Sequence, residues 1–424
     1  MIYNESKYNR QWETKKLSEL GVFARGKSKH RPRNDERLFE GGGYPLVQTG
    51  EIKDANLYIR HHEQEYGDFG LKQSKLWNTG TLCITIAANI AETAILAYPM
   101  CFPDSIVGFS ANHEKSSEKF MYYIFEYIKK SIQNAATGSI QDNINIDYLT
   151  SLDFKVPSKK YQDEMVMLLS AIDEKILLNS EINDNLEQQL MLLYDYWFNQ
   201  FDFPDNDGNP YQTSGGKMVW NDTLKRNIPE NWKVQSVISN CLSSIIKPGV
   251  EIFNTKTYLA TADVKGTSIS TGTIVDYDGR ESRANMQPSI NSVWFAKMKN
   301  SIKHLYLNKE MQPIISSSIL STGFCGLQCK EISFEYIASY VSNAYFEIHK
   351  DMLAHGATQE AVNNDDLTGV HIIIPEDTVL RAYHETTHAI YAQISKNICE
   401  NQELVKLRDW LLPMLMNGQA TISD

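Results

Sequence analysis

Between Tyr161 and Gln200 the chain reads YQDEMVMLLSAIDEKILLNSEINDNLEQQLMLLYDYWFNQ, with no glycine or proline. Seam residues return after three or four positions throughout, at Met165, Leu168, Ile172, Ile176, Asn179, Asn183, Leu186, Leu190, Leu193 and Trp197. That is the spacing of a helix with one narrow buried stripe, predicting a rod of about 60 Å. A second stretch, TVLRAYHETTHAIYAQISKNICENQELVKLRDWLLPMLMNGQ, begins at Thr378. It repeats the pattern 218 positions on, where Ile390, Ile394, Asn397, Asn401, Leu404 and Leu411 match Ile172, Ile176, Asn179, Asn183, Leu186 and Leu193. Pro413 and Gly418 are expected to end or kink it.

Each rod therefore carries two asparagines on its seam. A buried asparagine costs stability and fixes register and partner choice in coiled coils. Antiparallel packing about a pseudo-two-fold would bring Asn179 to Asn401 and Asn183 to Asn397. The plainer alternative puts these asparagines on the solvated edge of a shorter helix.

Upstream of each rod, β-branched and aromatic runs alternate with Gly, Asn and Asp turns. YPLVQTG, GTLCITIA, SVWFAKM and QPIISSSIL read as strands of an antiparallel or mixed sheet, and EKFMYYIFEYIKKSI and FEYIASYVSNAYFEI as one amphipathic helix per half. The stretch GSIQDNINIDYLTSLDFKVP (138–157) returns as GATQEAVNNDDLTGVHIIIP (356–375) with seven of twenty positions identical. These are Gly138/Gly356, Gln141/Gln359, Asn145/Asn363, Asp147/Asp365, Leu149/Leu367, Thr150/Thr368 and Pro157/Pro375. Unrelated chains would share about one, so the halves are duplicates. Trp232 in IPENWKVQSV echoes Trp12 in RQWETKKLSEL at a shift of 220, marking where each half begins. The expected fold is α+β: two pseudo-symmetric mixed α/β domains separated by two long antiparallel coiled-coil helices. The boundaries are domain one at 1–157, a central spacer helix at 158–200, a turn-rich connector at 201–228, domain two at 229–375, and a C-terminal spacer helix at 376–424.

Composition adds limits. A chain of 424 residues with 42% hydrophobic and 11% aromatic content is a globular protein of two or three domains. No apolar run reaches the roughly 18 residues of a membrane span, and MIYNESKYNRQWETKK lacks the apolar core of a signal peptide. The six cysteines (Cys83, Cys101, Cys241, Cys325, Cys329, Cys399) are mostly scattered and suit free thiols in a reducing cytoplasm. A cytoplasmic protein with no membrane partner is expected.

Catalytic motifs are weak. His384-Glu385-Thr386-Thr387-His388 matches the zinc-binding H-E-x-x-H pattern, in which the glutamate acts as general base. However, the other copy has Val166, Met167 and Ser170 at the corresponding places. A third ligand at Glu400 or Glu403 lies three or four turns along the same helix. Pro103-Asp104 with Asp153-x-Lys155 makes a poor nuclease signature, since the repeat counterpart of Asp153 is His371. Cys325 and Cys329 have no second pair nearby. No phosphate-cradling glycine loop is present, and no Asn-Pro-Pro-aromatic element for methyl transfer. No catalytic residue and no metal site are expected, which leaves a binding protein.

Charge indicates what it binds. A net charge of −11 and a pI of about 5.5 argue against a free-standing nucleic-acid binder. Yet RGKSKHRPRNDER (25–37) sets Arg25, Lys27, Lys29, Arg31, Arg33 and Arg37 against only Asp35 and Glu36. Its glycine and proline keep it irregular, as suits a loop tracking phosphates, although a solvated surface loop is the simpler alternative. The second half offers Arg280, Arg283, Lys297, Lys299, Lys303 and His304, with Lys297 and Lys299 alternating as on one strand face. Gln48, Asn89, Asn285 and Gln287 lie near these elements and are of the type that reads adenine edges. The repeated Gln141 and Gln359 complete the candidate DNA contacts. Two like scaffolds with unlike basic residues imply two different half-sites.

Taken together, the chain resembles the specificity subunit of type I restriction–modification enzymes along essentially its whole length. The resemblance rests on the repeated loop leading to a strand and proline, the long helix after each copy, and the connector YWFNQFDFPDNDGNPYQTSGGKMVWNDTLKRNIPENW. It implies target-recognition domains that each read part of a split DNA sequence, held apart by the antiparallel helices. It also implies docking of modification (methyltransferase) subunits, usually two, with ATP-dependent restriction nuclease subunits joining them. S-adenosylmethionine, ATP and magnesium would belong to those partners. The alternatives are a zinc-dependent hydrolase using His384, Glu385 and His388, or a coiled-coil scaffold that binds no DNA.

Overall fold

The computed structural model describes residues 9–137, 146–356, 359–420 and 422. The chain divides into two compact units, residues 1–177 with 404–424, and residues 178–403. Among the described residues no helix is long and apolar enough to cross a membrane.

A strand pairing made by the sequence repeat occurs once in each unit. In the first, Glu13–Lys15 follows Trp12 and pairs antiparallel with Phe154–Val156, Lys15 standing opposite Phe154. In the second, Lys233–Ser236 follows Trp232 and pairs antiparallel with His371–Ile374, Gln235 standing opposite Ile372. The registers coincide at shifts of 220 and 218. Phe154 and Val156, like Ile372 and Ile374, bury alternate side chains as a half-covered strand does. Within the repeat, Gly138, Gln141, Asn145, Ala357 and Thr358 lie outside the described residues.

A larger sheet also recurs. In the first unit the order is Gly21–Arg25, Ile106–Ala111, Leu82–Thr85, Thr93–Leu96, Tyr58–Ile59. In the second it is Ser243–Ile245, Phe324–Cys329, Ser292–Ala296, His304–Leu307. The strands LCIT, TAIL, SVWFA and HLYL are buried at every position, because packed layers cover both faces. A Cβ on Gly108 would come within 2.7 Å of the Trp77 ring, and one on Gly326 within 2.5 Å of Trp294. Glycine is thus required at both of these equivalent strand positions, where an indole lies flat on the backbone.

Three local expectations give way. FEYIASYVSNAYFEI forms two helices, Phe334–Ser342 and Ala344–Leu353, where the first unit has the single helix Glu118–Thr137. The break is at Asn343, which is extended and accepts the Tyr345 N–H at 2.9 Å, capping the second helix. QPIISSSIL is a strand only at Ser318–Ser321, because Pro313 starts a short helix, Gln312–Ser317. YPLVQTG is a strand only through Leu46. The Glu51 carboxylate then accepts the Gln48 N–H at 2.6 Å and opens the helix Thr49–Asp54.

The central helix is Lys159–Tyr194, closing in a π-helical turn, Asp195–Asn199. The C-terminal helix, Asp377–Met416, runs through Pro413 and stops only before Gly418, whose φ is +60°. Leu168 faces out and Leu169 takes the buried place instead. In the first unit Met165 and Leu169 share an apolar cluster with Leu415 and Met416. In the second, Leu190 shares one with Tyr391 and Ile394.

The seam amides meet in the second unit. Asn179 donates to Asn401 Oδ1 at 2.9 Å and to Glu400 at 2.7 Å, and Asn397 donates to Asn183 Oδ1 at 2.8 Å. Numbers rise on one helix as they fall on the other, so the packing is antiparallel. Asn179, Asn183 and Asn397 are buried, and each has a partner. Asn397→Ala should therefore cost about 1–2 kcal/mol, because it strands the Asn183 amide in the seam. Urea unfolding measures this, and joint Asn183→Leu/Asn397→Leu replacement should recover most of the loss.

Candidate nucleic-acid interface

The basic loop of the first unit leaves the sheet at Arg25 and is held by its backbone. Gly26 N–H donates to Ile106 O at 2.8 Å and Lys27 N–H to Phe102 O at 3.2 Å. A Cβ on Gly26 would lie 2.2 Å from the Pro103 carbonyl, so glycine alone permits this approach. On the other side Lys29 N–H donates to Gln73 O at 3.1 Å, and the Ser74 hydroxyl to Lys27 O at 2.9 Å. With the backbone occupied, the Arg25, Lys27 and Lys29 side chains stand exposed, and among the described residues they make no ion pair. These three have the character of a phosphate-contacting strip.

The other three cations of the loop are compensated. Arg33 reaches Asp104 at 2.6 Å and Arg31 approaches the same carboxylate at 3.8 Å. Arg37 bonds Asp35 at 2.6 Å, and His30 bonds it at 2.7 Å. The Arg37 hydrogen bond first, then that from His30, holds the Asp35 carboxyl well below the usual carboxylate range. Phe69 lies beneath, with the His30 ring edge-on at 5.3 Å and the Arg37 guanidinium at 5.7 Å.

Two exposed lysines went unnoticed in the sequence. Lys72 and Lys75 bracket the Gln73–Ser74 segment that touches the loop, and Lys75 sits 3.5 Å above the Trp77 ring. The signal was the short LKQSK run, whose contact with the loop, from Ser74 to Lys27, spans 47 residues of sequence. Of the amides, Gln48 is exposed, with its Nε2 3.5 Å from Gln64. Asn89 is exposed at the tip of the hairpin joining Leu82–Thr85 to Thr93–Leu96, at φ +32°. Gln359 is exposed in the second unit. Gln141 lies outside the described residues.

In the second unit most candidate cations are taken up by the protein itself. Arg280 stacks 3.8 Å over the Tyr277 ring and donates to its carbonyl, and exposed Arg283 pairs with Glu281 at 3.1 Å. The strand ends at Ala296, so Lys297 and Lys299 do not alternate on one strand face. Lys299 binds Glu360 at 2.7 Å, and Lys303 donates to Thr261 O at 2.5 Å. His304 is buried against Glu347 at 2.8 Å. Glu347 also binds the fully buried Lys350 at 2.6 Å, and Lys350 in turn holds the Ala296 and Ser301 carbonyls. Asn285 and Gln287 are half-buried. The loop in the place of the first unit's basic loop, residues 246–254, carries exposed Lys247 and Ile252, the latter 84% accessible. The two units thus present unlike surfaces at equivalent positions.

The HETTH sequence is placed for packing. His384 Nδ1 bonds the Glu335 carboxylate at 2.8 Å, and burial pushes the pKa of Glu335 up. His388 Nδ1 is within 3.1 Å of the His384 carbonyl, while Glu385 is exposed. Among the described residues no group of three His, Cys, Asp or Glu is placed to hold a metal ion. Cys325 is buried, its thiol pushed up to about 12 by desolvation. Asp153 pairs with Lys16 at 2.7 Å.

Residues 9–188 match the family model of the type I restriction modification DNA specificity domain. The chain is similar to the MjaIX specificity subunit of a type I restriction enzyme from Methanocaldococcus jannaschii. The two are 23% identical over 443 aligned residues, covering 99% of this chain and 95% of that one. It is also similar to the HindI specificity subunit from Haemophilus influenzae, 22% identical over 69% of this chain and 74% of that one. Among solved structures, the type I restriction–modification S subunit from M. genitalium shares the fold. It gives a TM-score of 0.51 at 13% identity, covering 98% of this chain and 99% of that one.

If the exposed strip contacts phosphates, Lys27→Glu with Lys29→Glu should reduce the salt slope of DNA association by about 1.8. Titration of a fluorescent duplex at several salt concentrations measures it. Asp104→Asn should act oppositely, freeing Arg31 and Arg33 and tightening association about threefold at low salt.

Proposed function

We propose, for a chain that belongs to the specificity subunits of type I restriction–modification enzymes, that each half reads one part of a two-part, asymmetric DNA sequence and that the paired helices set the distance between the parts. The observation that carries this reading is the repeated scaffold with unlike surfaces. Strand order and pairing register recur between the units, while residues 246–254 set one cation, Lys247, against the first unit's Arg25, Lys27 and Lys29. Identical readers would suit a palindrome, and unlike readers suit two different half-sites.

Specificity subunits are the DNA-recognition component of these enzymes and act in complexes with DNA and other subunits. In the proposed assembly, this chain docks two methyltransferase subunits and, through them, restriction subunits that use ATP. S-adenosylmethionine, ATP and magnesium are held by those partners, and the complex works in the cytoplasm. The chain binds and orients duplex DNA so that a target adenine can be turned out of the stack into a partner's site. Exposed loop cations supply affinity to any sequence, and contacts to base edges supply discrimination.

Apolar side chains left in solvent on the long helices support docking there. In the first unit these are Met167, Leu407 and Trp410, and in the second Leu178, Met191 and Leu192. Trp410 is 57% exposed, so Trp410→Glu should barely alter the melting temperature yet weaken methyltransferase binding at least about tenfold, measured by calorimetry. The function itself is tested by mapping methylated adenines in a host with and without this chain. Loss of methylation at one split motif supports the reading, and an unchanged map defeats it.

A further inference from the structure

Asp173 stands where three elements of the first unit meet, and its carboxylate is divided between two of them. From the central helix, Oδ2 accepts the Tyr123 hydroxyl at 2.7 Å, and Tyr123 belongs to Glu118–Thr137, the helix that covers the recognition sheet. Oδ1 accepts Arg408 Nη1 at 3.0 Å from the C-terminal helix. Asp173 is 7% exposed and Tyr123 1%, so the bond between them is shielded from water, while Arg408 is half-buried. The remaining Arg408 nitrogens rest on Asp409 at 2.9 and 3.1 Å.

The second unit shows that the fold does not require charge here. At the repeat shift of 218, Asp173 corresponds to Tyr391 and Arg408 to Leu190. Leu190 and Tyr391 lie in one apolar cluster, and the Tyr391 hydroxyl bonds Ser339 at 2.8 Å on the helix Phe334–Ser342. Ser339 also bonds the Tyr383 hydroxyl at 2.9 Å. That joint is neutral, so a shift there breaks hydrogen bonds but strands no charge. At the Asp173 joint, breaking either bond leaves a buried charge short of a partner.

We propose that Asp173, with Arg408 and Tyr123, is a positioning set for target recognition: it fixes where the first unit's sheet-covering helix stands on the two long helices, and so narrows the separation of half-sites that the enzyme accepts. The inference rests on the two-part reading above. These residues lie buried or half-buried within the first unit. They act through the recognition domain they hold.

The test uses the complete complex with its methyltransferase subunits. The substrates are duplexes carrying the mapped target at its native separation or with one base pair added or removed. Arg408→Met is expected to lower the preference for native over altered separation about tenfold, and Tyr123→Phe about threefold, with Arg408→Lys restoring much of it. Ile128→Ala truncates a buried residue of the same recognition helix away from the joint. It is expected to lower the melting temperature at least as much while leaving the preference intact. Should Arg408→Met fail to fold, Tyr123→Phe, which keeps the ion pair, decides. An unchanged preference in the folded variants, or an equal change in Ile128→Ala, overturns the inference while the two-part reading stands. A wild-type complex that methylates no split target overturns both.

Discussion

Four side-chain amides decide how the two long helices meet. Asn179 with Asn401 and Asn183 with Asn397 form together only in one antiparallel register, and a slip by one turn would keep at most one of the two pairs. Apolar packing alone would tolerate several registers, since residues such as Leu186, Leu190 and Ile394 interchange at modest cost. The amides give up some stability and gain uniqueness. The second unit's recognition domain is built onto the helices at the register they define, through contacts such as Thr267 to Glu187 at 2.7 Å and Asn308 to the Tyr391 carbonyl at 3.3 Å.

The duplication explains the economy of the molecule and also its asymmetry. Strand order, strand register and the glycine beneath each buried tryptophan are common to both units, because they are demands of the scaffold. The loops and joints have diverged. A cation-rich loop in one unit stands where the other has Lys247 and Ile252, and an ion pair stands where the other has tyrosine and leucine. Exposed positive charge therefore gathers on one loop of the first unit, within a chain whose net charge is −11.

The sequence made the long helices and the repeat legible, because a 3.6-residue period and a constant shift need no knowledge of tertiary contacts. It was less informative wherever a single residue overrode a propensity. Asn343 splits a helix by capping, Pro313 turns a β-rich run into a helical start, and Pro413 fails to stop a helix already held by packing at Leu415 and Met416. Charge was legible in number but not in direction. Composition cannot show that Asp104 occupies Arg31 and Arg33, that Glu360 occupies Lys299, or that His304 lies in the core beside Lys350. Lys72 and Lys75 were missed for the converse reason, since only the folded chain brings them beside the basic loop.

The claim on which the rest depends is that two unlike readers are held at one separation. Methylation rates of the assembled wild-type complex, measured across duplexes that vary only in the number of base pairs between the two parts of the target, test it most directly. The account predicts one sharply preferred separation and negligible rates for duplexes carrying either part alone. A flat response to separation, or efficient methylation from a single part, would contradict it.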